Sequence, residues 1–210
     1  MYWIRADGAG QAVRLTESKN SQFAFSFSPD GKRLAFVEID PHTNLDLWTL
    51  PLEGAESDHP KAGKPEPFLV TSFNEMAPMI SPDGHWLAYN SDESGRDEVY
   101  VRPFPGPGGK WQISTAGGER PVWSKKAHEL FYRSDEGMMV ASYTTTPEAF
   151  IASKPRFWAA KKNLGRFFDL APDGNRFVVG QEEGSEQTAP THATILLNFS
   201  DELRRRAPVK

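Results

Sequence analysis

The chain of 210 residues contains no cysteine. This excludes a disulfide framework and any thiolate-ligated zinc or iron–sulfur site. It leaves the compartment open, because a cysteine-free chain suits reducing and oxidising surroundings alike. No apolar run approaches the roughly 18–20 residues of a membrane-spanning helix. Basic charge is not in excess: 24 Lys and Arg stand against 28 Asp and Glu, a formal net charge of −4. Electrostatic capture of nucleic acid is therefore not expected. The opening Met1-Tyr2-Trp3-Ile4-Arg5 lacks the basic start and the apolar stretch of about 7–15 residues of a secretory signal. Helical apolar periodicity is missing from every stretch of ten or more residues, apart from one turn's worth at Ser200–Arg206. Catalytic signatures are missing too: there is no Gly-x-Ser-x-Gly elbow, P-loop, His-Glu-x-x-His or kinase motif set.

What is present is a repeat. Four segments align: Phe27-Ser28-Pro29-Asp30-Gly31-Lys32-Arg33-Leu34-Ala35-Phe36, Ile80-Ser81-Pro82-Asp83-Gly84-His85-Trp86-Leu87-Ala88-Tyr89, Trp123-Ser124-Lys125-Lys126-Ala127-His128-Glu129-Leu130-Phe131-Tyr132 and Leu170-Ala171-Pro172-Asp173-Gly174-Asn175-Arg176-Phe177-Val178-Val179. The third has lost Pro-Asp-Gly but keeps the apolar frame on both sides. In Ser-Pro-Asp-Gly, Ser accepts a hydrogen bond, Pro presets φ and Gly relieves the exit, which predicts a type I turn between two strands. A third strand is expected at Asp46–Leu50, Glu98–Val101, Met138–Ala141 and Ile195–Phe199, and a weaker fourth at Pro67–Val70 and Trp111–Ile113. Four strands recurring over about 45 residues are the arithmetic of a β-propeller blade. The expected fold is all-β: about four full four-stranded antiparallel blades plus a partial N-terminal blade.

The repeat, together with the acidic hairpin Ser91-Asp92-Glu93-Ser94-Gly95-Arg96-Asp97-Glu98-Val99-Tyr100, resembles the WD40-like (PD40) propeller repeat of TolB. The later blades and the ending Ile195-Leu196-Leu197-Asn198-Phe199 are similar to the C-terminal propellers of bacterial serine/threonine kinases. The resemblance implies a propeller over nearly the whole chain, divided as a partial blade or closing hairpin (1–18), blades at 19–72, 73–116, 117–160 and 161–200, and a tail (201–210). Such relatives usually carry six or seven blades. A chain that starts inside a strand is therefore expected to be a fragment of a longer reading frame, to close its ring with that strand, or to complete a larger ring as a homodimer.

Propellers bind ligands where the innermost strands converge. The candidate binding residues at those strand heads are Asn20, Gln22, Asn74, Glu75, Glu119, Arg120, Asn163 and Arg166. Asp30, Asp83 and Asp173 are expected to serve the turns, and Asp92, Glu93, Asp97, Glu98 and Glu182–Glu186 to be solvated loop acids. The five histidines, at 42, 59, 85, 128 and 192, show no ligand spacing. Tyr2, Trp3, Trp48, Trp86, Tyr100, Phe104, Trp111, Trp123, Phe157 and Trp158 are expected to pack mostly between blades. The leading functional expectation is a non-catalytic module that binds a protein partner or a small polar ligand. The alternative is a lactone or ester hydrolase assisted by calcium at the channel, with Glu75 and Glu119 as candidate metal ligands. Neither a compartment nor a substrate is legible.

Overall fold

Type I turn chemistry organises the chain. The computed structural model describes residues 1–7, 9–54, 60–146, 149–160, 168–174 and 176–180. In the first repeat the Gly31 amide donates to the Ser28 carbonyl (2.8 Å). The Ser28 hydroxyl accepts the Arg33 amide (2.9 Å) and donates to Asp30 (2.6 Å), and Asp30 also accepts the Lys32 amide (3.0 Å). The Ser28 hydrogen bond, then the Lys32 amide, hold the Asp30 carboxyl below the usual range. The second repeat copies this. The Gly84 amide donates to the Ser81 carbonyl (2.9 Å), the Trp86 amide to the Ser81 hydroxyl (3.0 Å), and that hydroxyl to Asp83. Gly31, Gly84 and Gly174 take φ of 70°, 75° and 72°, a left-handed conformation open to Gly at no steric cost. The third repeat, without Gly, turns by giving the Lys126 and Ala127 amides to the Ser124 hydroxyl (3.3 and 3.1 Å).

The strands between these turns form antiparallel sheets. β1 (Tyr2–Trp3) pairs with β2 (Val13–Arg14). The first full sheet runs β3 (Gln22–Phe27), β4 (Arg33–Asp40) and β5 (Asn44–Glu53); β7 (Glu66–Leu69) lies along the middle of β5 and β6 (Lys61–Ala62) along its end. The second runs β8 (Glu75–Ile80), β9 (Trp86–Ser91), β10 (Glu98–Pro103) and β11 (Trp111–Gln112). The third runs β12 (Glu119–Trp123), β13 (Glu129–Arg133) and β14 (Gly137–Thr145), with β15 (Phe150–Ala152) and β16 (Arg156–Ala160) sharing β14. β17 (Phe168–Leu170) and β18 (Phe177–Val179) pair around the fourth turn. Each innermost strand of the three full sheets carries a register shift, at Ala24/Ser26, Met76/Met79 and Glu119/Val122. The expected strand at Ile195–Phe199 lies outside the described residues.

The core is a row of seams between successive sheets. Leu15, Leu34, Phe36, Leu50 and Leu52 fill the first, with Trp3 and Trp48 packed on them. Ala35, Leu47, Leu87, Tyr89, Tyr100 and Phe104 fill the second, and Trp86, Val99, Val101, Trp123, Tyr132, Tyr143 and Phe150 the third. Phe131, Met138 and Val140 meet Phe168, Leu170 and Phe177 in the fourth. All six residues of β9 are buried, because sheets cover it on both faces. Tyr2 and Phe157 depart from the expected packing between sheets and are exposed. Tyr2 sits on a two-residue strand whose described partner is β2 alone, and Phe157 on the outermost strand of its sheet. Trp158 is at the margin but still meets Phe177 edge-on at 4.9 Å.

The turn serine is the smallest part on which a seam depends. Ser81 is fully buried, so Ser81→Ala leaves the Trp86 amide without its acceptor inside the protein. The expected loss is about 1–3 kcal/mol of stability, measured by urea denaturation. Ala171 closes the same turn natively through Gly174, so the hairpin should persist and the m-value stay constant. A loss below about 0.5 kcal/mol would mean that water reaches this amide.

Candidate functional site

Gln22 and Glu75 stand six residues before their turn serines and hold the same place, the first residue of an innermost strand. Each accepts a hydrogen bond from a threonine on the approaching segment: Thr16 donates to Gln22 Oε1, and Thr71 to Glu75 Oε1 (2.6 Å). Gln22 Nε2 and Asn20 Nδ2 then donate to the two oxygens of Glu38 (2.6 and 3.0 Å). In the next repeat the backbone and side-chain amides of Asn74 donate to Asp92 (2.9 and 2.7 Å). In the third, Glu119 lies 3.5 Å from Arg133, and the Arg120 amide donates to Asn90 Oδ1 (3.3 Å) across the seam. Arg120 and Ala77 both have positive φ, 54° and 53°, at matching places before Pro121 and Pro78 where the innermost strands bulge. This backbone form is uncommon for residues other than Gly.

The structure thus keeps Asn20 and Gln22 in one cluster and Asn74 and Glu75 in a second, with Glu119 and Arg120 in a third. Arg166 and Asn163 lie outside the described residues, as do His59, His192 and Glu182–Glu186. Glu75 is 1% exposed. Its Oε1 accepts from Thr71 and, at 3.5 Å, from Ser91, while Oε2 is buried with no hydrogen-bond partner. Burial, then the charges of Asp46, Glu93 and Asp92, push its pKa up to about 7 against the Thr71 hydrogen bond. Asp46, near the head of β5, is equally buried; its Oδ2 accepts the Thr43 hydroxyl and its Oδ1 is unpartnered. Burial is again the main cause that raises its pKa.

Glu98 corrects the expectation of a solvated acidic loop. It is 1% exposed, and accepts from the Ser114 hydroxyl, the Gly117 amide (3.0 Å) and Arg96 Nε (2.8 Å). Sequence reading passed over Asp46 as a site residue and took Glu98 for a solvent-facing acid. A usable signal was there: each acid stands directly before the apolar run of its third strand, Leu47–Leu50 or Val99–Val101, and the two pair with Glu38 and Ser91, each ten residues after its turn serine.

The two candidate calcium ligands stand in different clusters: Glu119 lies 3.5 Å from Arg133, whereas Glu75 accepts from Thr71 and Ser91 through Oε1 alone. Among the described residues no three His, Asp or Glu side chains group as a metal cluster. A concavity of about 440 Å³ lies at the opposite, turn end of the strands. Pro29, Phe104 and Pro105 line it together with Lys32 and Arg33, the latter paired with Glu66 at 2.6 Å.

No protein-family model matches the sequence. Among solved structures, the chain is similar to TolB from Acinetobacter baumannii, with 16% identity and a TM-score of 0.60 over 85% of this chain and 42% of that one. It is also similar to a protein assigned as TolB from Agrobacterium tumefaciens (18% identity, TM-score 0.50, 69% of this chain and 53% of that one). A protein assigned as a 6-phosphogluconolactonase from Bacteroides uniformis gives 17% identity and a TM-score of 0.51 over 84% of this chain and 55% of that one. The chain spans about half the length of these structures. What it has in common with them is the fold: it is an all-β, TolB-like propeller.

Proposed function

We propose that this TolB-like propeller is a non-catalytic interaction module whose strand-head face holds a segment of a protein partner or a small polar ligand. One observation carries the reading. The polar side chains at the strand heads are spent on joining strands and sheets, as in Asn20–Glu38–Gln22, Asn74–Asp92 and Glu119–Arg133. Glu75, whose pKa would suit a general base, is closed off from solvent. A base must come within hydrogen-bond reach of the proton it removes. The face therefore presents a fixed polar framework rather than an activated group, which suits recognition. Glu119, 40% exposed at its side chain, and Arg133 beside it supply an acid and a guanidinium to orient a polar partner.

Selection of displayed peptides on the purified chain, followed by titration calorimetry of the selected peptide, tests this. Saturable binding is expected, weakened about tenfold or more in the double variant Glu119→Ala/Arg133→Ala and unchanged in Lys32→Ala at the turn end. Lactone hydrolysis above the buffer rate, assayed in parallel with 6-phosphogluconolactone and abolished by chelator, would replace this reading with the hydrolase.

A further inference from the structure

The repeat contains its own comparison for the buried acids. Asp46 and Glu98 hold matching places near the start of the third strand of their sheets, since Asp46 pairs with Glu38 and Glu98 with Ser91, each ten residues after its turn serine. Glu98 has a cation, Arg96, and hydrogen bonds to both oxygens. Among the described residues no ion pair reaches Asp46. Glu75 lies on the other side of the same seam, and among the described residues no ion pair reaches it either. Thr71 joins the two acids. The pairing of Leu47 with Leu69 brings the segment after β7 alongside Asp46, the Thr71 amide faces the Asp46 carboxylate, and the Thr71 hydroxyl donates to Glu75. Each acid keeps one buried oxygen with no partner, Asp46 Oδ1 and Glu75 Oε2. Further acids act on the pair, Glu38 and Asp40 on Asp46, and Asp92 and Glu93 on Glu75, although Glu93 is itself paired with Lys110.

An isolated buried carboxylate is strongly disfavoured, and buried charges are normally paired or bound to metal. We propose that the seam between the first and second full sheets binds a calcium-class divalent cation, with Asp46 Oδ1 and Glu75 Oε2 as its charged ligands. Two carboxylates match a double positive charge, and the hydroxyls of Ser91 and Thr71 beside Glu75 are neutral hard-oxygen donors. Calcium accepts such irregular, partly neutral oxygen sets, whereas magnesium demands a near-ideal octahedron and retains its waters. Bound there, the ion supplies between these sheets the positive charge that Arg96 supplies to Glu98.

The test uses the chain stripped with EDTA and titrated at about pH 7.5 with calcium chloride, by calorimetry and thermal denaturation, with magnesium and sodium chloride alongside. The expected result is one saturable calcium site per chain and a rise in Tm, with little response to sodium. Glu75→Gln should weaken binding about tenfold or more, and Asp46→Asn likewise, while Glu66→Gln on the surface leaves it unchanged. Gln22 shows that glutamine fits this place in the repeat, and circular dichroism of each variant checks the fold. Absence of a saturable calcium response in the wild type overturns the proposal. So does calcium binding that survives both Glu75→Gln and Asp46→Asn.

Discussion

Trp123→Ala is expected to lower stability by about 3–5 kcal/mol, the range for deleting a buried aromatic side chain. Trp123 is 5% exposed and ends the innermost strand of the third sheet. Its ring meets Tyr143 edge-on at 5.1 Å and Phe150 at 6.0 Å. Its indole Nε1 donates to the Met79 carbonyl of the second sheet (2.8 Å). Removal opens a cavity in the third seam and leaves a carbonyl without its cross-seam donor. Trp123→Phe separates the two effects: it keeps most of the ring but not the donor, and should lose about 1–2 kcal/mol. Guanidinium denaturation followed by circular dichroism, which does not depend on the lost fluorophore, measures both. If the two variants lost equal stability, the hydrogen bond would be what ties these sheets; if Trp123→Ala lost under about 1 kcal/mol, the sheets would not depend on this seam.

The fold was legible because its determinants are local. Ser28-Pro29-Asp30-Gly31 and Ser81-Pro82-Asp83-Gly84 encode their turns through side chains two to five residues away, and such short-range chemistry survives in a linear reading. The third repeat was found through Trp123 and the Leu130-Phe131-Tyr132 run, since a buried strand shows its apolar pattern whatever its turn. β6 and β15 went unseen. Each is a segment of two or three residues that folds back onto the end of the overlong third strand just before it, β5 or β14, and so short a segment shows no alternating apolar pattern. The candidate site was legible as a region but not as chemistry. Asn20, Gln22, Asn74, Glu75 and Glu119 were placed at strand heads, but their partners Glu38, Asp92, Ser91 and Arg133 lie 14–18 residues downstream. Burial misled most: Glu98 reads as one more loop acid in a polar stretch, and only the folded seam takes it out of solvent.

In the presence of EDTA, which leaves the seam to protons alone, the chain is expected to lose stability as pH rises from about 5 to about 8. The sign follows from Glu75. Its pKa is raised from 4.5 to about 7, so between those values the folded chain holds a proton that the unfolded chain has released. Stability must then fall with pH across that window, and the full penalty is present above about pH 7. At about 1.4 kcal/mol per unit the effect is on the order of 3 kcal/mol. Asp46, raised by the same burial, acts in the same direction. The exposed turn acids Asp30 and Asp40 are lowered instead; their contribution disappears only below the ordinary carboxylate range, outside this window. Glu75→Gln removes the titration and keeps an acceptor for Thr71, as Gln22 does for Thr16. The variant should match the wild type at about pH 5, exceed it by about 2 kcal/mol at about pH 8, and have a flatter stability curve between. A wild-type curve that rises over this range, or a variant with an unchanged slope, would show that the seam does not carry the buried charge. Calcium restored at about pH 8 should recover the lost stability in the wild type and not in Glu75→Gln, because the ion and the proton compete for the same oxygens.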